Sequence, residues 1–168
     1  MSVDTLIERN ARRAEALSAA DRSLTPALRT IVVTCADHRV DPSHVLGLQP
    51  GDAIVLRNPG GRVTADVLRS LLVLATVAAV EGIDAAFEIV VMHHTDCGLA
   101  RLDTPEHAAL VADYIGINED DVAKVTVADP WHAVNYDVHV LREVVRAPGT
   151  TVTGLVYDLD SGTVRRSE

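Results

Sequence analysis

The 168-residue sequence predicts an α/β fold: a mostly parallel β-sheet flanked by helices, with an N-terminal helical arm. Three observations carry this expectation. Short apolar runs at 30–34, 53–56, 86–92 and 151–157 have the length and β-branched content of buried strands. Helix-period segments separate them, and strands alternating with helices build parallel sheets covered on both faces. Gly, Pro, Asn and Asp clusters punctuate the ends of the runs.

The elements follow in chain order. Residues 2–22 read as a helix, with Val3, Leu6, Ile7, Ala11, Ala14 and Leu17 at three- and four-residue steps. Its apolar stripe is thin and suits a partner subunit better than the chain's own core. Residues 1–28 are therefore taken as an arm of a single domain spanning 1–168. Strand one covers 30–34, and a short helix is expected from Pro42 to Leu48. Gln49-Pro50-Gly51-Asp52 turns the chain into strand two, Ala53 to Leu56, which ends in Arg57-Asn58-Pro59-Gly60-Gly61. Thr64 is expected to cap the next helix, with Asp66 favourable in its first turn. That helix runs to Val80 and is apolar nearly all round, which predicts burial on more than one side, with the central sheet covering one and a dimer partner the natural cover for the other. Gly82 breaks it. Strand three is Ala86 to Met92, and Thr104 to Gly116 reads as a helix opened by Pro105. Asn118 to Lys124 is acidic and exposed. Asp129-Pro130 starts a helix to about Val145, strand four is Thr151 to Tyr157, and a turn with a ragged end closes the chain. Right-handed crossovers favour the strand order 2-1-3-4, with room for an extra edge strand.

Composition excludes several classes. A formal charge of −9, from 24 acidic and 15 basic residues, argues against a nucleic-acid binder, which needs clustered Lys and Arg. The longest apolar stretch, Leu71 to Val80, is too short to span a bilayer. Met1 to Asn10 alternates polar and charged groups, unlike a signal peptide, so a cytoplasmic protein is expected. In that compartment two cysteines are thiols or ligands rather than a disulfide. With 48% hydrophobic but only 3% aromatic residues, the core must be built from Ala, Val, Leu and Ile.

The chemistry gathers at two strand ends. Cys35 follows strand one, and His94-Thr95-Asp96-Cys97-Gly98 follows strand three. In the order 2-1-3-4 both meet where the sheet changes direction, the crevice in which open α/β sheets bind ligands. An imidazole and two thiolates suit Zn²⁺, and three protein ligands with one position open is a catalytic arrangement. Cys35, His94 and Cys97 are the candidate zinc ligands. Asp37 and Arg39, in an extended loop, would share a side with Cys35. Asp37 then either takes the fourth metal position or is held by Arg39 to orient water. His93, pointing away from His94 in extended backbone, is read as structural. His38 is a candidate proton carrier, with a plain solvated histidine the alternative. Asn58, Gly60 and Gly61 would bring backbone N–H groups near a substrate; a simple strand-to-helix turn is the alternative.

Cys35-Ala36-Asp37-His38-Arg39, Arg57-Asn58-Pro59-Gly60-Gly61 and His94-Thr95-Asp96-Cys97-Gly98 together resemble the β-class carbonic anhydrases, specifically their short-chain prokaryotic branch. The resemblance implies zinc-dependent, reversible hydration of CO₂ to bicarbonate and a proton by zinc-bound hydroxide. It implies Cys35, His94 and Cys97 as metal ligands, Asp37 and Arg39 as the catalytic dyad, and a homodimer or higher homo-oligomer. Pro59 and His38 depart from the family's usual small residues at those positions. Two thiolates donate more charge than the three imidazoles of other carbonic anhydrases, so the bound water should be less acidic unless its surroundings compensate. The competing readings are a COS or CS₂ hydrolase on the same zinc site, a catalytically idle zinc-binding or bicarbonate-sensing homologue, and a metal-free redox pair of Cys35 and Cys97.

Overall fold

Five strands form one sheet in the order β2-β1-β3-β4-β5, where β1 is Thr30–Cys35, β2 Ala53–Asn58, β3 Glu88–His94, β4 Thr151–Asp158 and β5 Thr163–Arg166. The structure, a computed structural model, describes residues 3–14, 23–122 and 128–167. The first four strands are parallel, as the alternation of strands and helices requires. Central β1 and β3 are buried almost throughout, which is why their middles, Ile31-Val32-Val33 and Ile89-Val90-Val91-Met92, are unbroken apolar runs. Edge strand β2 is only half-buried.

The expected order holds, and the chain's tail supplies the extra edge strand. Asp158 accepts hydrogen bonds from the Ser161 N–H (2.7 Å) and hydroxyl (2.9 Å), and the turn returns β5 antiparallel to β4. The tail reads as ragged because four residues are too few to display an alternating pattern. Strand three is also displaced from expectation. It runs on through both histidines, whose partners in β4 are Val156 and Tyr157. Ladder pairing holds these polar residues extended where their chemistry alone suggests a loop.

Helices cover the faces unequally. Helix α1 is Val3–Ala14, α2 Pro42–Val45, α3 Ala65–Val80, α4 Ala108–Ile115 and α5 Pro130–Val144. Asp129 caps α5 by accepting from the N–H groups of Trp131 and His132. The helix then lays Val134, Val138 and Leu141 on β3 and β4, where Val33, Val91 and Val156 complete the core. Thr64 stands at the start of α3 but makes no side-chain capping bond. Thr104 likewise begins a short 3₁₀ turn, Pro105–His107, before α4. Its hydroxyl bonds the His107 Nδ1 (2.9 Å) instead of a backbone N–H.

Only Val67 of α3 is buried within this chain. Leu72 is 68% exposed and Val73 60%, so among the described residues nothing supplies the second cover expected for this helix. Helix α1 buries no residue at all. The expected helix over 2–22 is answered for 3–14 only, because 15–22 lie outside the described residues, as do 123 and 124 of the acidic segment. Among the described residues no helix is long and apolar enough to cross a membrane.

Candidate metal centre

Parallel β1 and β3 lie side by side, so their carboxyl ends deliver Cys35 and His94 to the same edge of the sheet. After His94 the chain must double back. Asp96 makes this possible by adopting a left-handed conformation (φ 50°), and Cys97 then faces the other two. One ligand atom from each of Cys35, His94 and Cys97 lies within 4.8 Å of the others. The two sulfurs are 3.8 Å apart and not bonded to each other. Two sulfurs at tetrahedral zinc distances stand about 3.8 Å apart.

The imidazole is prepared for the same role. His94 Nδ1 lies 2.8 Å from the Thr95 carbonyl oxygen, an acceptor, so Nδ1 carries the hydrogen. The lone pair is then on Nε2, which is buried and has no hydrogen-bond partner. An orphaned imidazole nitrogen beside two sulfurs is the donor set that Zn²⁺ takes.

The sulfurs are not equivalent. Cys35 Sγ accepts from the N–H groups of Asp37 (3.4 Å) and Gly60 (3.3 Å). Without metal, the Cys97 thiol and these donors hold Cys35 well below the ordinary thiol range against the effect of burial. Cys97, beside that thiolate and itself desolvated, is pushed up. For His94, burial disfavours the charge, but its contacts with Cys35 outweigh this and raise its pKa.

Asp37 and Arg39 are paired, though not by the strand-like alternation expected. The chain turns at once into a 3₁₀ helix, His38–Val40, with Asp37 in the capping position. The Asp37 carboxylate accepts from the Arg39 N–H (2.9 Å), Nε (3.1 Å) and Nη2 (2.6 Å). These bonds hold its pKa far below the usual carboxylate value. Arg39 also donates to the Asp96 carboxylate and carbonyl, both at 2.9 Å, and so ties the Cys35 loop to the Cys97 loop.

The carbonic anhydrase family profile matches residues 30–117, a span that includes the whole cluster. Beta-carbonic anhydrase 1 of Mycobacterium tuberculosis is 34% identical over 149 residues, covering 83% of this chain and 82% of that one. The chain belongs to the β-class carbonic anhydrase family. Carbonic anhydrase from Streptococcus mutans superposes with a TM-score of 0.73 at 34% identity, covering 100% of this chain and 99% of that one. A carbon disulfide hydrolase from an Acidianus species is 30% identical over 162 residues, 82% of this chain and 76% of that one.

The remaining predicted residues of this carbonic anhydrase take distinct places. His38 is 93% exposed, its Nδ1 3.7 Å from the Asp37 carboxylate. His93 is buried and shared between the Gly61 carbonyl (3.2 Å) and Asp137 (3.1 Å), as its structural reading anticipates. Asn58 donates to the Arg62 carbonyl (2.8 Å), while its Oδ1 is buried without a partner. The Gly60 amide faces the Cys35 sulfur. Gly61, at φ 67°, lies against the end of β1. Beside the cluster a cavity of about 10 Å³, bounded in part by Gly60, Arg62, His94, Cys97 and Leu99, has room for roughly one water.

Sequence reasoning assigned no role to four further residues near the site. Arg57 donates to the carbonyls of Cys35 (2.9 Å) and Asp37 (2.7 Å) and to the Asp41 carboxylate (2.8 Å), fixing the loop after β1. Tyr114 donates to the Pro59 carbonyl (2.8 Å). Arg62 and Asp137 form a buried ion pair. Arg57 stands inside a recognised motif, which was the available signal. Nothing in the sequence marks the other three.

Proposed function

We propose that the chain catalyses the reversible hydration of CO₂ to bicarbonate and a proton, with Cys35, His94 and Cys97 holding zinc and Asp37 and Arg39 acting beside it. The observation that carries this is the unpartnered His94 Nε2 within 4.8 Å of both sulfurs, with the Asp37–Arg39 pair on the adjoining turn. Zinc, when bound, supplies the Lewis acidity that makes water nucleophilic near neutral pH. Hydrogen bonds from the Asp37 and Gly60 amides draw charge from the Cys35 sulfur, which offsets the strong donation of two thiolates. The Asp37 carboxylate is kept ionised by Arg39, so it can accept a hydrogen bond from the attacking water and orient it. The exposed His38 beside Asp37 supports a role in carrying the proton to solvent. The unpartnered, buried Oδ1 of Asn58 supports a contact with substrate or its water, and Gly60 lines the cavity beside the cluster. Stopped-flow CO₂ hydration on protein of measured zinc content, at neutral and alkaline pH, tests the proposal. Turnover that disappears on chelation and returns with zinc is expected. Full zinc occupancy without turnover at either pH would overturn it.

The likeness to a carbon disulfide hydrolase supports a second reading, hydrolysis of CS₂ or COS by the same groups. Both are linear molecules like CO₂, so the choice rests on access rather than on the donor set. Assaying the same zinc-loaded sample with CS₂ separates the two. The exposed apolar residues of α3 and α1 support a homodimer or higher homo-oligomer. The free thiols Cys35 and Cys97 suit a reducing, cytoplasmic compartment.

A further inference from the structure

Behind the metal cluster lies a second group of charges that the reaction does not use. Asp137, from α5, is completely buried, and so is Arg62, from the loop between β2 and α3. Arg62 Nε donates to Asp137 Oδ2 at 2.7 Å and Nη2 to Oδ1 at 3.4 Å. His93, from β3, contacts the same carboxylate at 3.1 Å and the Gly61 carbonyl at 3.2 Å. Both neighbours of His93 Nε2 are acceptors, so this nitrogen carries the hydrogen and donates to them.

Such a group is a poor device for stability alone. Desolvating a carboxylate and a guanidinium consumes most of what their attraction returns, and apolar residues of similar size often serve as well. The same helix fills the neighbouring positions with Val134, Val138 and Leu141. Arg62 Nη1 is moreover buried with no partner, which adds to the cost.

What the group does hold is backbone. Arg62 and the Gly61 carbonyl are adjacent points on the loop whose Gly60 N–H donates to Cys35 Sγ. That loop has no slack. A Cβ at Gly61 would stand 2.8 Å from both the Cys35 amide nitrogen and the Thr34 carbonyl carbon, which are backbone of β1 and cannot swing aside. Its position against the sulfur is therefore sensitive to small shifts of its anchors.

We propose that the Arg62–Asp137–His93 group is a positioning device for the metal centre: it fixes Gly60 and Gly61 so that the Gly60 N–H stays on Cys35 Sγ and sets the donor strength of that ligand. The proposal rests on the reading of Cys35 as a metal ligand. Asp137 and Arg62 touch no reacting atom and act through the loop alone.

The test uses Asp137→Asn, which removes the charge, and Arg62→Lys, which keeps the cation but loses the planar fork. Leu141→Ala, which loosens the same helix without touching the group, is the control. Each protein is loaded with Co²⁺ to read the sulfur-to-metal charge-transfer band. Each is also titrated with zinc against a chelator and melted. Asp137→Asn and Arg62→Lys are expected to shift the band and weaken zinc binding roughly 10- to 100-fold. Leu141→Ala is expected to melt earlier with the native band and affinity. If Asp137→Asn does not fold, Arg62→Lys alone decides. A network variant that behaves like Leu141→Ala would show the group to be merely structural and overturn the proposal. Failure of the native protein to bind zinc or cobalt would instead overturn the metal reading, and this proposal with it.

Discussion

Gly61 lies against Cys35 with no room for a side chain: a Cβ on it would stand 2.8 Å from the Cys35 amide nitrogen and equally close to the Thr34 carbonyl carbon. Both obstacles are backbone of a buried central strand and cannot swing aside. Gly61 also has a positive φ of 67°, which a side chain strains further. Gly61→Ala is therefore expected to lower stability by more than ~1 kcal/mol and to displace the sulfur above it. Metal analysis after purification should find substoichiometric zinc, and CO₂ hydration should fall in proportion. A variant with native zinc content and native melting would contradict this packing argument.

Arg39 has one guanidinium and two carboxylates to hold, and the consequences of removing each should be graded. Asp37→Asn removes the charge at the reacting centre and should reduce kcat/KM by about 10²-fold or more. Arg39→Lys keeps a cation but cannot reproduce the fork onto Asp37 and Asp96, so it should not restore activity. Asp96→Asn leaves the Arg39 bonds to Asp37 and to the Asp96 carbonyl intact, and a loss below about tenfold is expected. Steady-state kinetics on zinc-matched samples measures all three. A larger effect for Asp96→Asn than for Asp37→Asn would reverse the assignment.

The parts of this architecture that could be read from the sequence are those written locally. Ile31-Val32-Val33 and Ile89-Val90-Val91 are strands buried on both faces, and no other local structure suits such short apolar runs ended by polar loops. Cys35 and His94-x-x-Cys97 are legible because a Cys and a His-x-x-Cys at two strand ends are distinctive in residue type as well as spacing, and the sheet brings their side-chain donor atoms together. Asp137 and Arg62 were not legible. They stand 75 positions apart, and each alone reads as an ordinary surface charge. The uncovered face of α3 was legible in part: an all-round apolar helix needs a second cover, and a partner subunit was its natural source, but which residues the sheet leaves exposed, Leu72 among them, depends on packing. Asp96 passed as a spacer because its left-handed backbone and its bonds to Arg39 exist only in the folded loop.

Acid should unfold the protein partly through Asp137. Burial alone would raise the pKa of this carboxyl, but the His93 hydrogen bond and the Arg62 charge outweigh it and leave the pKa below its ordinary value. The folded pKa is thus lower than the unfolded one, near 3.9. Ionised Asp137 then contributes its full stability at pH values above the unfolded pKa and loses it as pH falls toward the folded one. In Asp137→Asn the Arg62 guanidinium is left buried without its counter-charge, which should cost about 3–5 kcal/mol at neutral pH. Urea denaturation at pH 7, 5 and 3 should show the native protein's advantage over the variant unchanged between pH 7 and 5 and narrowing only below the unfolded pKa. An advantage that already narrows between pH 7 and 5 would mean that the folded pKa of Asp137 is raised rather than lowered.

The uncovered face of α3 bears on assembly. Leu72, Val73, Val77 and Val80 are exposed on one chain, and they adjoin a groove of about 800 Å³ lined by Leu68, Leu71, Ile54 and Phe87 among others. An apolar surface of this extent is unusual on a protein that stays monomeric. Sedimentation velocity on the native protein should therefore find a dimer or larger species. Leu72→Glu places a charge in the middle of the face without disturbing the sheet, because the side chain points away from the chain's own core. It should shift the sedimenting species to monomer while the far-ultraviolet circular dichroism is retained. If activity falls with the same variant, the subunit contact supports the metal centre as well as the assembly. A native protein that sediments as a monomer at micromolar concentration would show that this face is covered by something other than a second copy of the chain.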